Sequence, residues 1–183
     1  MPQTAIAIAP GSYSYDPVHS SVTFNVRHFG AGKFRGSFAD FDATLTVDEG
    51  GAIALHGVVK VDSVQVKEPR LAGHLASPDF FDAERFPEIT FQSTSFNVGE
   101  EGTLAVDGDL TLKETTKNVH ATGEITFVDD DGYGNARAGV ELSTTIDRTE
   151  FGVNFAGSLP GGQPVVANDV TLTVELEFVK PLA

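Results

Sequence analysis

The sequence predicts an all-β protein: an eight-stranded antiparallel β-barrel with a short helical insertion. Three observations predict it. Apolar and polar residues alternate with period two through eight separate runs, the spacing that sets every second side chain of a strand on one face. Gly-rich turns separate the runs, as hairpin connections require. Each strand has one apolar face and needs a shared interior, and closing the sheet removes edges that would otherwise pair with other chains. A two-sheet sandwich shows the same alternation, so the pattern alone leaves closure open.

Residues 1–12 read as a flexible N-terminal arm and 13–183 as the barrel domain. The first run, 21–28, places Val22, Phe24, Val26 and His28 on one face, against Thr23, Asn25 and Arg27. The second, 41–47, opposes Phe41, Ala43, Leu45 and Val47 to Asp42, Thr44 and Thr46. After Glu49-Gly50-Gly51, the third run (53–61) aligns Ile53, Leu55, Gly57, Val59 and Val61. Runs at 88–97 and 103–112 flank the turn Gly99-Glu100-Glu101-Gly102. The sixth, 118–129, groups Val119, Ala121, Gly123, Ile125 and Phe127, and the acidic Asp129–Gly132 segment after it reads as a solvated hairpin turn. The last two, 137–147 and 169–180, carry Ala138, Val140, Leu142 and Ile146, then Val170, Leu172, Val174, Leu176 and Phe178.

One long stretch breaks the series, between Ser63 and Phe91. Pro69–Ala76 suits a short helix, because proline is tolerated in a first turn. Ser77 before Pro78 and Asp79 signals a second helical start, and Pro87 stops it, giving an insertion over Pro69–Phe86. A connection this long in a compact domain is usually functional, often a lid or binding loop.

Composition narrows the function classes. The formal net charge is −14, which repels nucleic acid and anionic membrane surfaces. No apolar stretch approaches the ~20 residues of a membrane span, so no stable membrane anchoring is expected. The absence of cysteine excludes disulfides and thiol chemistry. Ser never falls in Gly-x-Ser-x-Gly, and in the Asp79/Asp82/Glu84 group, which could mimic an acid pair, Asp79 and Asp82 read as first-turn residues favoured by the helix dipole. The five histidines show no His-x-His or His-x-x-x-His spacing, so no metal site and no cofactor are expected. His56 and His120 fall on polar faces, whereas His19, His28 and His74 stand near Asp16 and Asp82 in the more distinctive segments. Arg148, beside Phe151, reads as a structural tie to a carboxylate. No catalytic residue is assigned. The enzyme alternative is a cofactor-free isomerase or cyclase using His28 or His74 as acid–base.

Phenylalanine is abundant, at 14 residues, with no tryptophan. An interior lined by Phe24, Phe41, Leu75, Phe80, Phe81, Phe86, Phe91 and Phe127 suits a chain ligand with few polar groups. Burial yields about 0.8 kcal/mol per methylene from water. From a membrane donor that gain nearly vanishes, so selectivity must come from the cavity and the ligand's polar end. For that end the candidates are Arg27, His28, Lys33 and Arg35, a basic island containing no carboxylate, together with His74. Such an island would supply charge-assisted hydrogen bonds to a diphosphate.

Several segments together resemble the YceI-like family. They are Asp16-Pro17-x-His19-Ser20-Ser21-Val22, Val26-Arg27-His28, and His74-Leu75-x-Ser77-x-Asp79-Phe80-Phe81-Asp82. Arg85-Phe86-Pro87-x-Ile89-x-Phe91, Gly108-Asp109-Leu110-Thr111 and Asp147-Arg148-x-x-Phe151-Gly152 continue the match in order. The resemblance implies a lipocalin-like barrel whose elongated cavity holds a polyisoprenoid, such as a polyprenyl diphosphate or an isoprenoid quinone relative, with the helical insertion near its mouth. The chain has Leu71-Ala72 where the family often has an Arg-Asp pair, so no head-group role passes to Arg70. No export signal is read in Met1–Gly11, unlike many family members, and a cytoplasmic location is expected. The expected function is non-catalytic binding, carriage or storage of a long-chain isoprenoid lipid. A ligand-free, stress-related barrel filled by its own Phe side chains is the other alternative. A dimer through barrel faces is compatible with Val58 and Val179 pointing outward.

Overall fold

The computed structural model describes residues 6–183. Eleven strands form one continuous antiparallel sheet: β1 (Gly11–Tyr15), β2 (Ser21–His28), β3 (Gly32–Phe38), β4 (Phe41–Val47), β5 (Ile53–Lys60), β6 (Val64–Gln65), β7 (Glu88–Val98), β8 (Thr103–Leu112), β9 (Thr115–Val128), β10 (Asn135–Asp147) and β11 (Val166–Pro181). Helix α1 (Pro69–Ala76) lies between β6 and β7. The order β1-β4-β5-β7-β8-β9-β10-β11 returns on itself where β1 pairs with β11, which closes an eight-stranded barrel.

The long β11 makes the closure. Its C-terminal part takes β1, with Ser14 opposite Val179, and its earlier part takes β2, from Glu175 opposite Ser21 to Val166 opposite His28. The chain crosses from one to the other at a corner, Asp16–Ser20. Here the Asp16 carboxylate accepts from the Val18 N–H at 2.9 Å and meets His19 Nδ1 at 2.9 Å, while the Glu177 N–H donates to Ser20 Oγ. β2 continues into β3 through a tight turn with positive φ at Phe29 and Gly30. β6 then pairs with the end of β3.

Three strands lie outside the eight expected runs. β1 and β6 are too short to show a period, and β3 hides its alternation because glycine takes an inward position between Phe34 and Phe38. The arm expected over 1–12 is in part structured: Gly11 and Ser12 pair with Val47 and Thr46, and Ile8 is buried. Residues 1–5 of that arm lie outside the described residues. The insertion holds one helix, not two. Ser77 caps the C-terminus of α1, its hydroxyl donating to the His74 carbonyl at 2.6 Å, and turns follow to Arg85. The proline at 78 follows this cap and ends α1.

Inward side chains form two apolar clusters. One fills one end of the barrel around Tyr13, Leu45, Val106, Ile125, Val140 and Phe178. The other gathers Phe24, Phe38, Val64, Leu75, Phe80, Leu110 and Phe151 beneath the insertion. Each fully buried large side chain contributes roughly 1.5–3 kcal/mol.

Candidate apolar binding cavity

Between the two clusters the barrel interior opens into a cavity of about 170 Å³. Period two decides its lining: Phe24, Phe38, Phe41, Leu55, Val59, Phe91, Leu110, Ala121, Leu142 and Leu172 all alternate inward, and Phe81 reaches in from the insertion. Asp42 is the one acidic residue of the wall, and its side chain alternates outward and is exposed. The volume lies below the roughly 300–1,000 Å³ of pockets that enclose a drug-sized ligand. Aromatic rings occupy much of the rest. Phe24 packs against Phe38 at 5.6 Å, Phe81 at 6.2 Å and Phe34 at 6.3 Å, and Phe38 meets Phe81 at 5.8 Å.

Of the eight apolar residues expected inside, Phe24, Phe41, Phe81 and Phe91 line this cavity. Leu75 and Phe80 are buried in the cluster under the insertion rather than on the cavity wall. Phe86 is half-buried, with the Arg85 guanidinium 4.9 Å over its ring. Phe127 packs into the other cluster, edge-on to Tyr13 at 6.4 Å. Sequence reasoning passed over Phe38, and it placed Gly57 on the inward face without assigning it to the cavity. The Phe34-x-Gly36-x-Phe38 spacing was the available signal for the first.

The polar candidates lie elsewhere. Arg27, Lys33 and Arg35 are exposed, on the face of the β2–β3 hairpin opposite Phe24 and Phe34, and Arg27 donates to the Ala31 carbonyl at 2.8 Å. His28 is exposed at the hairpin end, edge-on to Phe29 at 4.3 Å. His74 sits on α1 with its Nε2 3.0 Å from Asp79, between the rings of Phe80 and Phe155 at 5.0 and 5.7 Å. Neither histidine lines the cavity. Asp79 is thus a partner of His74 rather than a helix-start residue, and Asp82 pairs with Arg85 at 3.4 Å.

Asp16, His19 and Glu177 bring ligand-type atoms within 4.8 Å of one another. Arg137 stands among them, its Nη1 2.5 Å from Glu177 and 3.6 Å from Asp16, and it also binds Asp131 at 2.6 Å. A guanidinium in that position supplies the positive charge a cation would bring. The hydrogen bond from His19 lowers the Asp16 carboxyl below its ordinary value, and the same bond raises His19. Arg137 holds Asp131 well below the ordinary carboxylate range.

A family model described as the YceI-like domain matches residues 13–178. A UPF0312 protein of Vibrio cholerae is 33% identical over 142 residues, which span 76% of this chain and 75% of that protein. A UPF0312 protein of Staphylococcus aureus is 30% identical over 170 residues, spanning 91% and 96%. Among solved structures, Burkholderia cenocepacia BcnA is similar with a TM-score of 0.73 at 21% identity, over 89% of this chain and 98% of its own. A polyisoprenoid binding domain from Saccharophagus degradans, implicated in plant cell wall breakdown, matches with a TM-score of 0.67 at 13% identity, over 92% and 98%. These two structural likenesses concern the fold. With the closed barrel, the helical insertion and a family match over almost its whole length, the chain belongs to the YceI-like family.

Proposed function

We propose that this protein is a non-catalytic binder of an apolar chain lipid of the isoprenoid class, held in the barrel cavity. One observation carries the reading: an internal cavity walled mainly by aliphatic and aromatic side chains, into which, among the described residues, no charged side chain points. Such a wall offers burial and shape, and its one titratable residue, Asp42, alternates outward. The positions of His28 and His74 off the cavity wall weigh against an acid–base role on a substrate within it. The polyisoprenoid-binding description of a structural relative agrees with the same ligand class.

The ligand's polar end is assigned to the β2–β3 hairpin. Arg27, Lys33 and Arg35 stand together on this one hairpin, and among the described residues none of the three pairs with a carboxylate. Their charge is therefore available to an anionic head group.

The small volume favours one second reading, a barrel filled by its own rings and without a ligand. Native mass spectrometry of protein purified from its own host separates the two. An added mass that organic extraction identifies as an isoprenoid chain supports the binder. Bare protein that also fails to take up added polyprenol supports the filled barrel.

A further inference from the structure

The ring of Phe24 rests on Gly36, its partner across the β2–β3 pair. A Cβ at position 36 would fall 2.4 Å from the Phe24 Cζ and 2.7 Å from its Cε1, and the third nearest atom is also of that ring. Backbone conformation does not require glycine here, because Gly36 is not among the residues of positive φ. The ring is what excludes a side chain. Phe34 and Phe38 flank the same ring from β3, and Phe81 meets it from the insertion. The side left free is the cavity.

We propose that Gly36 sets the bore of the cavity. The missing side chain gives Phe24 a bed against the barrel wall, and even a methyl group there drives the ring into the lumen. Residue size at position 36 thereby selects the cross-section of the chain that fits. The inference rests on the reading of the cavity as a chain-lipid site and specifies what that site discriminates. Phe91 lies on Gly108 in a similar way, with a Cβ there 2.2 Å from its Cζ, but the Gln92 carbonyl oxygen at 2.8 Å also crowds that position. Gly57 contrasts with both. It lines the cavity, and a Cβ there meets nothing closer than the Asp42 carbonyl oxygen at 3.7 Å. A side chain at position 57 therefore fills the lumen without straining the wall.

The probes are farnesol and dodecan-1-ol, which share a main-chain length but differ in methyl branching and unsaturation, titrated by calorimetry in dilute detergent. Wild-type protein is expected to bind farnesol, and Gly57→Leu to lose it, which places the probe in the lumen. Gly36→Ala should weaken farnesol at least about tenfold, or ~1.4 kcal/mol, and dodecan-1-ol less. Phe24→Leu combined with Gly36→Ala should restore farnesol, because the ring that the methyl displaces is gone. Wild-type-like binding of farnesol by a folded Gly36→Ala, with Gly57→Leu still blocking, overturns the role of Gly36 and leaves the cavity reading intact. Failure of wild type to bind either alcohol, or indifference to Gly57→Leu, overturns both. Should Gly36→Ala not fold, Phe24→Leu alone is decisive: it should widen the bore and tighten farnesol relative to dodecan-1-ol, and an unchanged ratio overturns the proposal.

Discussion

Arg148, expected from the sequence to be a structural tie to a carboxylate, does tie the fold together, but through backbone carbonyls. It is buried, yet among the described residues no carboxylate pairs with its guanidinium. Instead it donates to the carbonyls of Val153 at 2.6 Å, Ala167 at 2.9 Å, Phe155 at 2.9 Å and Val166 at 3.1 Å. Burial lowers its pKa, with Asp147 acting in the opposite sense, but an arginine stays charged. The expectation of a carboxylate tie is corrected on this point. Residues 153–165 have little regular structure and the β11–β2 register is irregular between Val166 and Val170, so these carbonyls need a donor, and a planar fork with five N–H groups serves several at once. Arg148→Met keeps much of the apolar stem but strands those acceptors. It should cost on the order of 3 kcal/mol, read as a lower urea midpoint at unchanged slope. A midpoint shift under about 0.5 kcal/mol, the range of ordinary surface substitutions, would mean that water replaces the guanidinium.

At the scale of elements, legibility followed length. Runs of seven residues or more with clean alternation were readable, because burial on one face enforces period two. Pro69–Ala76 was readable as a helix from its proline start, and its bounds hold. β1 and β6 were not, being stabilised by neighbours distant in sequence, and β3 was masked by Gly36, whose role depends on a ring in another strand. The same limit applied to the cavity, since four of its expected lining residues are there but their spacing in three dimensions depends on closure. The β2–β3 hairpin also carries the proposed head-group site. Its turn joins adjacent strands whose inward face bears Phe24, Phe34 and Phe38 and whose outward face bears Arg27, Lys33 and Arg35. Reversing Lys33 and Arg35 together to Glu should weaken a polyprenyl diphosphate at least tenfold while leaving a neutral polyprenol of equal length nearly unaffected. Electrostatic attraction at an exposed site is also screened, so the difference should shrink as salt rises. Equal losses for both ligands would remove the head group from this hairpin.

For the whole molecule the decisive contact is the one that turns a sheet into a barrel, and charges guard it. The Asp16-Pro17-x-His19-Ser20 segment, prominent in the family resemblance, is the corner where β1 hands β11 over to β2. Arg137 on β10 gathers Asp16, Asp131 and Glu177 beside it. The pH response of the closed barrel follows from the direction of these shifts. Asp131 and Asp16 have folded pKa values below their unfolded ones, so the stability they add is complete above the ordinary carboxylate range of about 3.9 and drains as pH falls through the folded values. His19 is raised, so its contribution is complete below about 6.5 and is lost as pH climbs through the raised value. Stability should therefore peak on the mildly acidic side of neutrality and fall most steeply below pH ~4. Arg137→Gln removes the main cause of the Asp131 shift. The variant should melt lower than wild type at neutral pH, and its Tm should fall less steeply between pH ~4 and ~2, because Asp131 then binds its proton closer to its unfolded value, with only the Tyr133 and Asn135 hydrogen bonds left to lower it. Circular dichroism melts of the two proteins across that range provide the check. Parallel curves, displaced but of equal slope, would show that Arg137 braces the closure by packing alone.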